Sequence, residues 1–141
     1  MSKATDQYWT PASLFDALGL DFDLDPACPQ HGPVNVPTRH WYSEKQDGLQ
    51  QPWYGLVWMN PPYSNTTPWV NKFIEHGNGL ALLPMAKSAW FNRLWECADG
   101  MVPMPTNHKF EQGSIRYHTM LFSLGETATN ALGQLDWSRV R

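Results

Sequence analysis

The chain has 141 residues, of which 42% are hydrophobic and 16% are charged, and its formal net charge at pH 7 is −3. A chain of this length can bury a core of its own, so we expect one domain over residues 1–141 that needs neither disulfides nor a structural metal. The mean hydropathy is −0.48, and no apolar run approaches the roughly 18 residues of a bilayer helix, which argues against a membrane protein.

The first predicted elements are a helix and a strand. Thr10 supplies a hydroxyl for the N-cap, Pro11 suits the first helical position, and Gly19 ends the helix. Residues 22–25 alternate between apolar and acidic side chains, which predicts a strand that stops before the next proline with a carboxylate at its end. Residues 28–52 show little periodicity and much proline and glycine, so a long irregular segment with one short strand is expected.

Strands and helices alternate through the rest of the chain. Thr67 and Pro68 begin the second predicted helix, and Ser88 caps the third. The predicted elements are a strand at 55–59, a helix at 67–77, a strand at 79–84, a helix from 88 to about 100, and strands at 101–103 and 117–123. This order predicts an α/β fold, with helices on the faces of an open, mostly parallel sheet, and with loose ends at 1–7 and about 128–141.

A proline-rich tetrapeptide, Asn60-Pro61-Pro62-Tyr63, follows the second predicted strand. In open α/β sheets, ligands bind beyond the carboxyl ends of the strands, where this tetrapeptide and Asp25 both lie. The two prolines fix the backbone and lack N–H groups, so the neighbouring carbonyls are expected to point outward without partners. The Asn60 amide oxygen and the Pro61 carbonyl can then accept both hydrogens of one amino group, while the Tyr63 ring supplies a stacking surface.

This arrangement suits a planar amine as substrate. The exocyclic amine of a nucleobase is a poor nucleophile, because its lone pair is delocalised into the ring. Two oxygen acceptors localise that lone pair for attack, so the protein contributes orientation and electrostatic preorganisation while a cofactor supplies the difficult chemistry. The residues alone leave open adenine N6, cytosine N4, guanine N2 in RNA and the amide of a protein glutamine. They also leave open a non-catalytic protein that only binds nucleic acid or a cofactor.

Six sequence blocks in a fixed order carry a resemblance to a known family. They are Tyr8-Trp9-Thr10-Pro11, Leu24-Asp25-Pro26-Ala27-Cys28, Asp47-Gly48-Leu49 with Trp53, Trp58-Met59-Asn60-Pro61-Pro62-Tyr63, Leu82-Leu83-Pro84 with Trp90-Phe91, and Lys109-Phe110. In this order they resemble the small phage-type DNA N6-adenine methyltransferases (Dam-like), which use S-adenosylmethionine, and the resemblance covers about residues 8–125. It implies a compact, truncated Rossmann-like class I methyltransferase fold and a cytoplasmic location in a bacterial or phage-infected cell.

The resemblance also implies a role for each matching residue. Asn60 and Pro61 would hold the target amine, Pro62 would shape the turn, and Tyr63 would stack on the base. The cofactor would be bordered by residues of the first three blocks: Tyr8, Thr10 and Pro11 at its methionine end, Asp25, Pro26 and Ala27 at the end of the first strand, and Asp47 on the adenosine side. The glycine-rich turn that usually follows the first strand in this family is absent here.

DNA is the implied partner, with its target base flipped out of the duplex or single-stranded. Residues 1–84 carry 4 basic and 8 acidic side chains, whereas residues 85–141 carry 6 basic and 5 acidic ones. Contacts to the nucleic acid are therefore expected from the second half of the chain, at Lys87, Trp90, Arg93, Lys109 and Arg116. No separate target-recognition region is expected, so recognition would depend on loops 28–52 and 104–116 or on a homodimer.

Simpler explanations compete for some of these residues. Asp25 and Asp47 each precede a residue that favours turns, so either carboxylate could serve the local backbone alone. Cys28, His31 and His40 do not match the spacing of a standard zinc site, and no metal is expected. Most tryptophans are expected in the core, including Trp58, Trp69 and Trp95.

Overall fold

The computed structural model describes residues 10–104 and 118–135, together with the backbone of residues 109–110 and 113–114. The helices are α1 (Ala12–Leu18), α2 (Thr67–His76), α3 (Ala89–Cys97) and α4 (Glu126–Leu132). The strands are β1 (Phe22–Cys28), β2 (Thr38–Ser43), β3 (Val57–Met59), β4 (Gly79–Pro84), β5 (Gly100–Pro103), β6 (Lys109–Phe110), β7 (Gly113–Ser114) and β8 (Thr119–Leu124). Two short 3-10 helices, Glu44–Gln46 and Gly48–Gln50, lie between β2 and β3.

Six strands form one sheet in the order β2-β1-β3-β4-β8-β5, and β6 pairs with β7 in a separate ribbon. The pairings β1 with β2, β1 with β3 and β3 with β4 are parallel. The last strand, β8, is antiparallel to both of its neighbours, β4 and β5. The α/β class is thus confirmed, but the expectation of a mostly parallel sheet is wrong: the sheet is mixed, because β8 enters between two strands that run the other way.

The sheet separates two hydrophobic clusters, since alternate side chains of each strand point to opposite faces. On one face Trp58 of β3 and Leu82 of β4 pack with the apolar sides of α1 and α4. On the other face Val57 and Leu83 pack with α2 and α3, including Phe73. None of the helices that the structure describes has the length and apolar character needed to cross a bilayer.

Two helices begin one residue away from the positions predicted from their prolines. Pro11 is the N-cap of α1, with an extended backbone (φ −68°, ψ 147°), so Thr10 lies outside the helix. Thr66, not Thr67, is the N-cap of α2. Its hydroxyl does not cap the helix, because it donates to the carbonyl of Tyr63 at 3.2 Å instead.

The first strand extends beyond the proline at which it was predicted to stop. Strand β1 continues through Pro26 to Cys28, and its pairing with β2 shifts register between Asp25 and Cys28. A proline can be accommodated there because an irregular ladder does not require its missing N–H.

Two expectations about the second half of the chain are also wrong. The segment predicted as a loose tail from about 128 contains most of α4, whose Ala131 and Leu132 are buried, as is Leu135 after it. Trp95, predicted to be in the core, is 53% exposed and stacks on Phe91 at a ring distance of 6.0 Å. The apolar face of α3 is narrower than its sequence suggests, with Leu94 its one buried side chain.

Candidate functional site

The candidate site lies where β1 and β3 end side by side. Leu24 of β1 is paired with Val57 of β3, and three positions farther along the two strands are Ala27 and Asn60. The chain runs from β1 to β2 on one side of this pair, and from β3 to β4 on the other side. Neighbouring parallel strands whose connections diverge in this way leave a crevice beyond their carboxyl ends, which is the usual ligand position in open α/β sheets.

The tetrapeptide at the end of β3 forms a turn that leads into α2. Pro61 is buried, whereas Asn60, Pro62 and Tyr63 are partly exposed. The Pro62 carbonyl accepts a hydrogen bond from the backbone N–H of Asn65 at 3.2 Å. The Tyr63 hydroxyl donates to the carbonyl of Leu82 on β4 at 3.3 Å, which ties the aromatic ring to the next strand.

Asn60 and Pro61 present oxygen atoms that the fold itself does not use. Neither the Asn60 side-chain amide nor the Pro61 carbonyl is hydrogen-bonded to another residue in the part of the chain that the structure describes. The Pro62 carbonyl, by contrast, has a backbone partner in Asn65, although the sequence predicts that the carbonyls around the two prolines lack one.

Asp25 is a buried carboxylate near the end of β1. It is 3% exposed, and its Oδ1 accepts a hydrogen bond from the backbone N–H of Ala27 at 3.2 Å. Burial raises the pKa of Asp25 from 3.8 to about 7, and the bond from Ala27 only partly opposes this rise. Burial, with a smaller contribution from the charge of Asp25, also raises the pKa of the Cys28 thiol, which favours its neutral form.

A second buried polar group lies just before α1. Thr10 is 2% exposed, and its hydroxyl has no hydrogen-bond partner among the described residues. Its carbonyl accepts from the Asn35 side chain at 3.0 Å, which ties this segment to the long loop after β1. Unpaired buried hydroxyls are rare in folded proteins, and the Ser88 hydroxyl before α3 is a second one among the described residues.

The turn at Asp47 lies against the carboxyl end of β1. A Cβ added to Gly48 would lie 2.0 Å from the carbonyl oxygen of Pro26, so the two backbones are in direct contact. Asp47 has a positive φ of 56°, and its Oδ1 accepts from the backbone N–H of Leu49 at 3.3 Å. The exposed Asp47 carboxylate therefore shapes its own turn, which is the local role that its sequence context also allows.

Trp53 and two residues of α2 hold this turn in place. The Trp53 indole N–H donates to the Gly48 carbonyl at 2.8 Å, and the Trp53 ring stacks on Trp69 at 6.2 Å. Lys72 donates to the carbonyl oxygens of Leu49 and Gln51 at 2.9 and 2.7 Å. Lys72 was missed by the sequence reasoning, because its three-residue spacing from Trp69 places both on one helix face without indicating what that face contacts.

Three of the five residues predicted to contact nucleic acid have described side chains. Lys87 is exposed between β4 and α3, and Trp90 is partly exposed with its ring edge-on to Phe91 at 5.7 Å. The Arg93 guanidinium donates to the side chain of Asn71 on α2. Tyr8, Arg116 and the side chain of Lys109 lie outside the described residues. Within residues 10–104 and 118–135, no three His, Cys, Asp or Glu side chains are grouped so as to hold a metal ion.

The amino-acid sequence is similar to known proteins over much of its length. Residues 1–111 match the family described as DNA N-6-adenine-methyltransferase (Dam). The DNA N-6-adenine-methyltransferase of Haemophilus phage HP1 (strain HP1c1) is 38% identical over 59 residues, which cover 41% of this chain and 32% of that protein. The DNA N-6-adenine-methyltransferase of Escherichia phage T1 is 38% identical over 78 residues, covering 50% of this chain and 31% of that protein. The matched part thus spans about a third of each relative, and no solved structure matches the chain.

Proposed function

The chain belongs to the DNA N-6-adenine-methyltransferase (Dam) family, and on that premise we propose that it transfers a methyl group from S-adenosylmethionine to the N6 amine of adenine in DNA. One observation carries the proposal: the Asn60 side chain and the Pro61 carbonyl, which follow β3 beside the end of β1, have no hydrogen-bond partner among the described residues. That pair is complementary to the two hydrogens of an exocyclic amine.

Each residue of the tetrapeptide has a separate role in binding the base. The Asn60 side-chain oxygen and the Pro61 carbonyl accept one hydrogen each, which localises the nitrogen lone pair for attack. Pro62 and the backbone bond from Asn65 fix the turn, so the two acceptors need little reorganisation when the base arrives. Tyr63 stacks on the base while its hydroxyl remains anchored to Leu82.

The proposed cofactor site fits the residues around the end of β1. S-adenosylmethionine supplies an electrophilic methyl group and carries an α-amino cation. The buried Asp25 carboxylate offers a counter-charge for such a cation, and the unpaired Thr10 hydroxyl offers a hydrogen-bonding group. Pro11, Pro26 and Ala27 would border the same space, with Asp47 on the adenosine side and Tyr8 at the methionine end.

The sheet supports a Rossmann-like methyltransferase fold as part of this proposal. Strands β2, β1, β3 and β4 are parallel neighbours with helices on both faces, and the candidate site lies where the connections after β1 and after β3 diverge. Such a crevice is where doubly wound folds bind nucleotide-like ligands. The antiparallel β8 lies on the far side of β4 and leaves this crevice open.

DNA would reach the site as a flipped or single-stranded adenine, because an amine within a stacked duplex cannot enter the crevice. Lys87 and Trp90 follow β4, whose carboxyl end lies at the same edge of the sheet as the tetrapeptide. Lys87 would contact a phosphate and Trp90 an unstacked base. Arg93 would contribute less, because it already has a partner in Asn71.

Methyl transfer from tritiated S-adenosylmethionine tests the proposal, with unmethylated mixed-sequence DNA, RNA and protein offered separately as acceptors and the products analysed as nucleosides or amino acids. Label in N6-methyladenine of DNA is expected. Label in cytosine, in RNA or in glutamine would replace the substrate, and cofactor binding without any transfer would indicate a non-catalytic binding protein.

Asn60→Ala tests the mechanism within the same assay. Transfer should fall by at least about 100-fold, because a preorganised acceptor is lost, while the affinity for the cofactor should stay within about twofold. The matched control is Asn65→Ala, since Asn65 is an exposed asparagine of the same turn. Full activity of the Asn60 variant would contradict the assigned mechanism.

A further inference from the structure

We propose that Lys72 and Trp53 are positioning residues that set the cofactor side of the site, by clamping the turn at residues 47–50 onto the end of β1. The proposal rests on the proposed function, since it concerns where the bound cofactor would lie. Neither residue touches the tetrapeptide in the contacts described above, so both would act through the turn that they hold.

The turn has little freedom in its contact with the sheet. Gly48 is buried, and a Cβ at that position would overlap the Pro26 carbonyl at 2.0 Å and approach the Trp69 ring at 3.2 Å. The residues on either side of Gly48 are thereby held directly beyond the carboxyl end of β1. Any displacement of this turn would change the shape of the crevice next to Asp25 and Ala27.

The positively charged side chain of Lys72 forms hydrogen bonds with backbone carbonyls in and next to the turn. Its ammonium group donates to the carbonyl oxygens of Leu49 and Gln51 and lies 5.6 Å from the centre of the Trp53 ring. A cation that donates to two carbonyls forms stronger hydrogen bonds than a neutral donor would. The Trp53 indole N–H adds a third bond, to the Gly48 carbonyl at 2.8 Å. Three backbone carbonyls, two in the turn and one directly after it, thus accept hydrogen bonds from these two side chains.

Helix α2 connects this clamp to the base-binding turn. The hydroxyl of Thr66, the N-cap residue of this helix, donates to the carbonyl of Tyr63, the last residue of the tetrapeptide, at 3.2 Å. Farther along the same helix, Trp69 and Lys72 hold the turn at residues 47–50. One helix therefore contacts both the base-binding turn and the turn on the proposed cofactor side of the crevice.

Lys72→Met tests the clamp, because methionine keeps the apolar stem and removes the three N–H donors. We expect the KM for S-adenosylmethionine and its calorimetric Kd to rise about tenfold, with kcat changed by less than about twofold. Lys72→Arg retains donors that can reach carbonyls and should recover most of the affinity. Lys45→Met is the matched control, since Lys45 is an exposed lysine of the preceding 3-10 helix.

Trp53→Phe is a second variant: it removes the indole donor and one of the two fused rings, retains an aromatic ring against Trp69, and should raise the same KM. If the wild-type protein binds and transfers methyl groups but both variants keep its KM, the clamp is wrong and the proposed function stands. If the wild-type protein binds no cofactor, the proposed function fails and the clamp fails with it. A KM that rises equally in Lys72→Met and Lys72→Arg would also overturn the role given to the donors.

Discussion

Asp25→Asn should stabilise the protein without ligand at neutral and higher pH. Burial holds the pKa of Asp25 at about 7 in the folded chain, whereas the unfolded chain ionises near 3.8. Between these values the folded state binds the proton that the unfolded state has lost, so the free energy of unfolding falls as the pH rises. The total loss is about 4 kcal/mol by pH 8, at ~1.4 kcal/mol for each pH unit between the two pKa values. Asparagine has nearly the same shape and no charge at any of these pH values.

Urea unfolding between pH 4 and pH 8, followed by tryptophan fluorescence, measures this effect. The wild-type protein should lose stability toward pH 7 and then level off. The variant should match it near pH 4 and exceed it by up to about 4 kcal/mol, or about 10 °C in Tm, near pH 8. Asp47→Asn is the control, because Asp47 is exposed and its positive φ suits asparagine. If the free energy of unfolding changed with pH in the same way for the wild type and Asp25→Asn, the buried carboxylate would not destabilise the folded protein, and the reasoning would be refuted.

Two further substitutions test contacts within the site. Tyr63→Ala should lower kcat/KM for DNA by about 5- to 150-fold, since base stacking is worth about 1 to 3 kcal/mol. Tyr63→Phe removes the hydroxyl that donates to Leu82 but keeps the ring, so it should keep most activity; equal losses in the two variants would contradict stacking. Gly48→Ala should destabilise the fold by about 1 to 3 kcal/mol in urea unfolding, because its Cβ meets the Pro26 carbonyl. Gly133→Ala is the control, because a Cβ at Gly133 would make ordinary van der Waals contacts and φ is −65°; it should change the free energy of unfolding by less than about 0.5 kcal/mol. Similar losses of stability in the two variants would contradict the close contact between Gly48 and the Pro26 carbonyl.

The elements with strong local patterns were predictable from the sequence. Strand β4 matches the prediction at 79–84 residue for residue, because an unbroken apolar run between glycine and proline suits a buried strand. The αL conformations of Gly19 and Gly77 likewise end α1 and α2 where predicted. The tetrapeptide could be placed because two prolines restrict the backbone whatever surrounds them.

The remaining features depend on tertiary contacts that no local pattern encodes. The direction of β8 follows from which strands it joins, and its own sequence suits either direction. Trp95 has the spacing of a core residue, but its ring stacks on Phe91 at the surface while the adjacent Leu94 is buried. Lys72 has the composition of an ordinary surface lysine, and its role exists only because the turn at residues 47–50 folds back onto α2.

The insertion of β8 also bears on how the protein folds. In the described sheet, β5 is hydrogen-bonded to β8 alone, and about fifteen residues separate the two strands in the sequence. About thirty-five residues separate β4 from β8, which is also its partner. During synthesis, β5 would therefore emerge with no strand to pair with until residue 124 had left the ribosome. Pairings that close over such distances carry a loop-closure cost before they gain stability, which slows folding. Chains interrupted before β8 would leave β4, an apolar strand that is buried throughout in the complete sheet, as an exposed edge prone to aggregation.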